Sequence, residues 1–157
     1  MAIYCKKTAQ KLPISLEEAW NFLSSPYNLK TITPEHMGFK IKNDVKEGDK
    51  MFAGQIIVYD ITPLPGYRTE WVTEITQVEN LKYFIDEQRF GPYQLWHHRH
   101  ELLAIEGGVL MNDTIHYKIP FGFLGQLANF LFIRKQLEGI FSYREQKLES
   151  IFGKFQG

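Results

Sequence analysis

The sequence has a single cysteine, Cys5, in 157 residues. An internal disulfide is excluded, which fits a reducing compartment, and a cytoplasmic location is expected. There is no excess of charge, since eighteen Lys and Arg stand against eighteen Asp and Glu. Nucleic acid is therefore not expected as a partner, because phosphate binding rests on a surplus of basic residues. Long hydrophobic runs are missing too. The longest apolar-rich run, residues 121–133, is interrupted by Gly122, Gly125, Gln126 and Asn129. It is too short to span a bilayer, so no transmembrane segment is expected. The opening MAIYCKKTAQ lacks an apolar stretch, and no signal peptide is expected. No nucleophile motif, phosphate loop or cofactor fingerprint is present, so no cofactor is expected. With no repeat, low-complexity tract or linker, residues 1–157 read as one domain. At that length roughly 70 % of the chain's surface is expected to be buried.

Aromatic residues, by contrast, are abundant. Twelve Phe, eight Tyr and three Trp make 15 % of the chain, enough for large apolar walls. Proline is absent after Pro120, and from there the apolar residues recur at helical spacing. Phe130, Ile133, Leu137, Ile140, Phe141, Leu148, Ile151, Phe152 and Phe155 fall on one stripe, with Lys135, Glu138, Ser142, Gln146 and Glu149 opposite. Residues 124–152 would form a helix of roughly 40 Å. Such a one-sided rod needs a broad apolar surface to lie on. Leu127 and Leu131 lie at the side of the stripe, and Phe132 nearly opposite it, suiting an entrance, a homodimer contact or a membrane surface.

The preceding chain supplies that surface. Residues 2–12 read as a strand that stops at Pro13. Ser15 and Glu18 form a capping box for a short helix carrying Ala19, Trp20, Phe22 and Leu23, which ends before Pro26. Residues 27–33 add a second helical turn or two, closed by Pro34. Strands follow over 39–43, 51–61, 67–78, 82–90, 95–105 and 109–119. They are separated by turn signals at 46–49, at 62–66 (Thr-Pro-Leu-Pro-Gly), at Asn80, at Gly91-Pro92 and at Glu106-Gly107-Gly108. The expectation is an α+β fold: a curved seven-stranded antiparallel sheet wrapped around a long C-terminal helix, with two short helices between strands 1 and 2.

The opening LPISLEEAWNFLSSPYNL, the run FGPYQLWHHRHELLAIEGG, and the closing DTIHYKIPFGFLGQL and FSYREQKLESIF carry a family resemblance. Over essentially its whole length the chain resembles the START-like (SRPBCC) ligand-binding superfamily, which includes birch-pollen allergens and polyketide cyclases, and within it a bacterial subgroup. The resemblance implies the helix-grip fold, with a ligand cavity between sheet and helix. It implies no single activity, because carriers, sensors and enzymes share this fold.

Strand alternation sorts candidate site residues. The sixth strand places Trp96, His98, His100, Leu102 and Ala104 on one face. The seventh places Met111, Asp113, Ile115, Tyr117 and Ile119 on one, and these two faces carry the apolar bulk expected inside. Trp71, Thr73 and Ile75 of the fourth strand, and Phe84, Asp86, Gln88 and Phe90 of the fifth, are expected to join them. Asp86, Gln88, His98, His100 and Asp113 would then point into an aromatic chamber beside Trp71, Phe84, Trp96 and Tyr117, with Leu137 and Phe141 of the helix as its roof. Each polar group costs on the order of 1–3 kcal/mol if left unpaired. They either satisfy each other or meet a ligand in a pocket of apolar walls and few polar groups.

His98 and His100, two apart on a strand, also share a face as metal ligands would, but spacing fixes no third ligand, so no metal is expected. A His–Asp pair could equally move a proton. Cys5 is expected as a small core residue. Arg144 falls inside the apolar stripe. It either packs its stem and pairs its head with a carboxylate, or anchors an anionic ligand group. Three functions remain open: a carrier or sensor of a hydrophobic or aromatic small molecule or lipid; a cyclase- or hydrolase-type enzyme using His98, His100 and Asp113; and an interaction module with a merely structural cavity.

Overall fold

Consecutive strands joined by short turns pair most cheaply with their neighbours, antiparallel. The computed structural model, which describes residues 2–64 and 66–156, follows that rule with one exception. The strands are β1 Tyr4–Leu12, β2 Lys40–Ile41, β3 Gln55–Leu64, β4 Tyr67–Glu79, β5 Tyr83–Phe90, β6 Leu95–Ile105 and β7 Gly108–Lys118. They form one antiparallel sheet in the order β1-β7-β6-β5-β4-β3-β2, so that only β1 leaves its sequence neighbour, to close on β7.

Between β1 and β2 the chain makes one α-helix, α1 Leu16–Leu23, and two 3-10 turns, Pro26–Lys30 and Glu35–Met37. The Ser15 side chain accepts from the Glu18 N–H, as the capping box requires. Strand β3 starts later than its composition suggests. The Met51 N–H is committed to the Ser24 carbonyl at the end of α1, and Gly54 turns at φ 86° before the ladder begins. It also runs further, because Thr62 to Leu64 extend the strand across a register shift. Of the turn expected at 62–66, Pro65 lies outside the described residues.

The sheet packs one face on α1 and on a long C-terminal helical segment. That segment comprises α2 Gly122–Ala128, a π-helical turn Asn129–Ile133, and α3 Arg134–Phe152. The π turn corrects the stripe read from the sequence. Gly125 and Asn129 are buried and Ile133 half-buried, leading at four-residue steps to buried Leu137. In a straight α-helix each such step drifts by about 40°. The wider π turn absorbs that drift and swings Phe130 out of the stripe, leaving it 80 % exposed. Asn129 takes the inward place and accepts a hydrogen bond from the Tyr117 hydroxyl (3.1 Å). Ile151 is also exposed rather than packed, near the end of the segment. Phe132 lies outside, as its phase requires.

Two apolar clusters make the interior. Leu12, Trp20, Ile57, Phe84, Met111 and Leu148 belong to one; Ile61, Trp71, Trp96, Ile115, Tyr117 and Leu137 belong to the other. Cys5 joins neither. It is exposed, because the inward positions of β1 are Tyr4, Lys6, Thr8 and Gln10, one residue out of phase with it. Phe90 and Ala104, expected inside, are exposed where β5 and β6 run past the packed surface. The β6–β7 hairpin turns on Glu106 and Gly107 alone, which fixes Ile105 opposite Gly108 and every pair after it. At Gly108 a Cβ would sit 2.1 Å from the Leu12 carbonyl oxygen on β1. Gly108→Ala is therefore expected to destabilise by about 1–3 kcal/mol through forced separation of β1 from β7. Urea denaturation would show it; a loss under about 0.5 kcal/mol, the ordinary surface scatter, would mean that this end of β1 is free to move.

Candidate functional site

The register places the polar candidates side by side. Asp86 of β5 pairs across from His98 of β6, Phe84 from His100, and His100 in turn from Asp113 of β7. The His100 ring stacks on Phe84 of the first apolar cluster, with centroids 4.2 Å apart. His98 meets Trp96 of the second edge-on. The polar group therefore sits at the seam between the two clusters, and the two imidazoles lie 3.6 Å apart, centroid to centroid.

Each imidazole spans both carboxylates. His98 Nε2 lies 2.7 Å from Asp113 Oδ1, and its Nδ1 lies 3.5 Å from Asp86 Oδ2. His100 Nε2 lies 2.6 Å from Asp86 Oδ2. Its Nδ1 is 3.0 Å from Asp113 Oδ1, off the direction in which a ring N–H donates well. Trp96 Nε1 donates to Asp86 Oδ1 at 3.3 Å. From α3, Arg144 Nη1 donates to Asp113 Oδ1 at 3.4 Å, while its Nε has no hydrogen-bond partner among the described residues. The arginine thus packs its stem and pairs its head with a carboxylate, as its place in the apolar stripe suggests.

The two histidines titrate apart. Burial pushes both down. For His98 burial and the charge of His100 prevail, and its pKa falls. For His100 burial is outweighed by the nearby carboxylates of Asp113 and Asp86, and its pKa rises. Burial pushes Asp113 up, but the Arg144 charge and the two histidines hold it well below the carboxylate range. Asp86 is buried as well, yet His100 and His98 keep it below its usual value.

Beside this group lies a cavity of about 170 Å³. Its walls come from β3 to β6, the segment around the 3-10 turns, and α3. Of the residues expected at a site, Trp71, Phe84, Asp86, Trp96, His98, His100, Leu137 and Phe141 line it. Three do not. Gln88 spends its amide on the loop after β5, donating to the Tyr93 carbonyl (2.6 Å) and accepting from the Tyr93 N–H (3.1 Å). Tyr117 is turned to Asn129, and Asp113 lies behind the histidines. Tyr59 and Tyr93 also form the wall, unanticipated. Tyr59 stacks on Trp71, and its hydroxyl shares a hydrogen bond with Thr73 (3.2 Å). Trp71 is only 7 % exposed, and among the described residues its indole N–H has no hydrogen-bond partner.

Gln136 and Ile140 line both the cavity and a shallow outer groove with Pro34, Glu35 and His36. Gln136 is also hydrogen-bonded to the Pro63 carbonyl, tying α3 to the end of β3. On the opposite side, Phe141 and Arg144 separate the cavity from a second pocket of about 200 Å³ lined by Lys6, Thr8, Gln10 and Asp113.

A sheet gripping a long terminal helix is an architecture shared with solved structures. Protein CV1439 from Chromobacterium violaceum matches with a TM-score of 0.72 at 9 % identity, over 96 % of this chain and 98 % of that one. TTHA0849 from Thermus thermophilus matches at 0.66 and 14 % identity, over 94 % and 99 %. Ara h 8.0201 matches at 0.60 and 12 % identity, over 95 % and 99 %. The chain has the helix-grip fold. Identities this low carry the fold alone. No family model and no curated protein matches the sequence. Among the described residues, no helix of this helix-grip chain is long and apolar enough to cross a membrane.

Proposed function

We propose that the protein is a cytoplasmic carrier or sensor that binds a compact hydrophobic or aromatic molecule carrying a hydrogen-bond acceptor. The observation that carries this reading is the Trp71 indole N–H, buried without a partner on the wall of an aromatic cavity. A buried donor left unmade costs on the order of 1–3 kcal/mol, and an acceptor on a bound molecule would remove that cost. The cavity volume suits one or two rings: about 150 Å³ holds benzene, whereas drug-sized ligands need about 300–1,000 Å³. A whole lipid exceeds it. The exposed Cys5 thiol fits a reducing compartment.

Native mass spectrometry of gently purified protein is expected to show a co-purified small molecule. Its displacement by 7-hydroxycoumarin, a two-ring dye with a carbonyl acceptor, should quench Trp71 and Trp96 fluorescence. A chain of bare mass that neither binds this dye nor changes its tryptophan emission would leave only the interaction-module reading. The opposed titration of His98 and His100 favours a second reading, acid–base chemistry of cyclase or hydrolase type, since groups so pushed apart suit a base and an acid. That reading would take over if the recovered molecule were chemically altered on re-addition.

A further inference from the structure

Asp86, His98 and His100 face the cavity, while Asp113 lies on the far side of the imidazoles. That division separates groups that could take a ligand from the group that orients them. We propose that Asp86 Oδ, His98 Nδ1 and His100 Nε2 bind one divalent transition-metal ion, with Asp113 holding both imidazoles in position. One ligand atom from each of the three residues lies within 4.8 Å of the other two. Strand geometry supplies the two histidines at i and i+2 on one face, and the register of β5 against β6 supplies the third ligand.

The lone pairs argue for a cation between them. Asp113 accepts from His98 Nε2, so in the neutral ring Nδ1 carries a lone pair. That lone pair faces Asp86 Oδ2 at 3.5 Å, two acceptors opposed inside the protein. Among the described residues, the charged groups of this cluster are Asp86, Asp113 and Arg144. With both imidazoles neutral they leave one net negative charge in a buried place. A divalent ion converts the opposed acceptors into ligands and reverses the sign. It leaves coordination positions open toward the cavity, where a hydroxide or one anionic ligand group would bring the charge to zero.

The Asp113 contact of His98 is of the kind that metal-binding histidines make through their other ring nitrogen, and it fixes the tautomer that presents Nδ1. His100 gives up its Nε2 proton, shared with Asp86 in the metal-free protein, and takes one on Nδ1, which lies 3.0 Å from Asp113. Two imidazoles and one carboxylate suit Zn²⁺, Co²⁺ or Fe²⁺ rather than Mg²⁺ or Ca²⁺, which take oxygen. The site does not depend on an organic molecule binding in the cavity, so it can be tested with the metal alone.

Full-length protein stripped with a chelator is titrated with Zn²⁺ against a chromophoric competitor, and with Co²⁺ by visible absorption. One equivalent per chain is expected, with the d–d bands of a low-coordinate Co²⁺ site and a higher Tm. Asp86→Asn, close to isosteric, is expected to weaken binding by at least about tenfold, or about 1.4 kcal/mol. If that variant does not fold, imidazole nitrogen NMR of the wild type gives the answer without substitution. Shifts at His98 Nδ1 and His100 Nε2, with the proton on His98 Nε2 retained, support the site. Absence of stoichiometric binding would overturn it, as would affinity unchanged in folded Asp86→Asn. So would shifts confined to His97 and His116, which neighbour each other across β6 and β7 at 6.1 Å. None of these results touches the fluorescence test of the cavity.

Discussion

Asp113→Asn is expected to lose about 3–5 kcal/mol of stability, because removing one partner of a buried charge pair leaves the other uncompensated. Asp113 is 1 % exposed, and Arg144, its partner from α3, is 8 % exposed. The groups facing the carboxylate are His98 and His100 from β6 and Arg144 from α3. Depression of the Asp113 pKa means that the unfolded chain binds its proton first as pH falls. Its contribution is therefore complete above the unfolded value of about 4 and is lost as pH drops through the folded one. His100 works in the opposite sense. Its raised pKa contributes stability that is complete below about 6.5 and lost as pH rises through the folded value. His98, depressed, again loses stability as pH falls below about 6.5, so the two histidines together place a stability maximum near that pH. The steep loss belongs to the acid side, and Asp113→Asn should flatten it. Urea denaturation between pH 3 and 8 measures both effects. Pairing Asp113→Leu with Arg144→Met should recover part of the loss, since an apolar pair often replaces a buried ion pair at little cost, the remainder being the His98 Nε2–H left without its acceptor. A single-variant loss below about 0.5 kcal/mol, within surface scatter, would mean that Arg144 reaches solvent instead.

Much of this arrangement could be read before any coordinates. The inward faces of β6 and β7, with His98, His100 and Asp113 on them, follow from alternation, but the turn expected at Glu106-Gly107-Gly108 counts one residue too many: it sets His100 opposite Thr114, whereas Gly108 joins β7 and puts Asp113 there. The same counting fails between β5 and β6. Their connection runs through Gly91 to Gln94, and the Gln88 amide is taken by Tyr93 in that loop. So Asp86 could be assigned to the inward face but not placed against His98. Tyr93 itself escaped notice, since a loop residue carries no period. Tyr59 alternates correctly on β3 but was hidden by a strand rich in apolar residues on both faces. Phe130 was misplaced because a constant 3.6-residue period was carried through a segment that contains a π turn. Cys5 was misassigned because β1 is an edge strand whose inward face is largely polar, so composition gave no phase.

Filling the cavity separates binding from architecture. Ile57 is fully buried and lines the hollow opposite Thr73 on β4. In a close-packed core, enlarging such a residue costs about 1–3 kcal/mol. With about 170 Å³ of free space beside it, Ile57→Phe is expected to fold with Tm within a few degrees of the parent. The wild type, given an apolar aromatic ligand at a hundred times its Kd, should gain about 2.7 kcal/mol, or roughly 5–11 °C in Tm for a chain of this size. Ile57→Phe should lose that gain. Leu148→Met, a near volume-conserving change in the core away from the hollow, should keep it. Differential scanning fluorimetry reads all three. If Ile57→Phe were destabilised by several kcal/mol while the wild type showed no ligand-dependent rise, the space would be relaxed packing. The aromatic walls would then serve to join the two apolar clusters around Asp113 and Arg144, and no molecule would be held between sheet and helix.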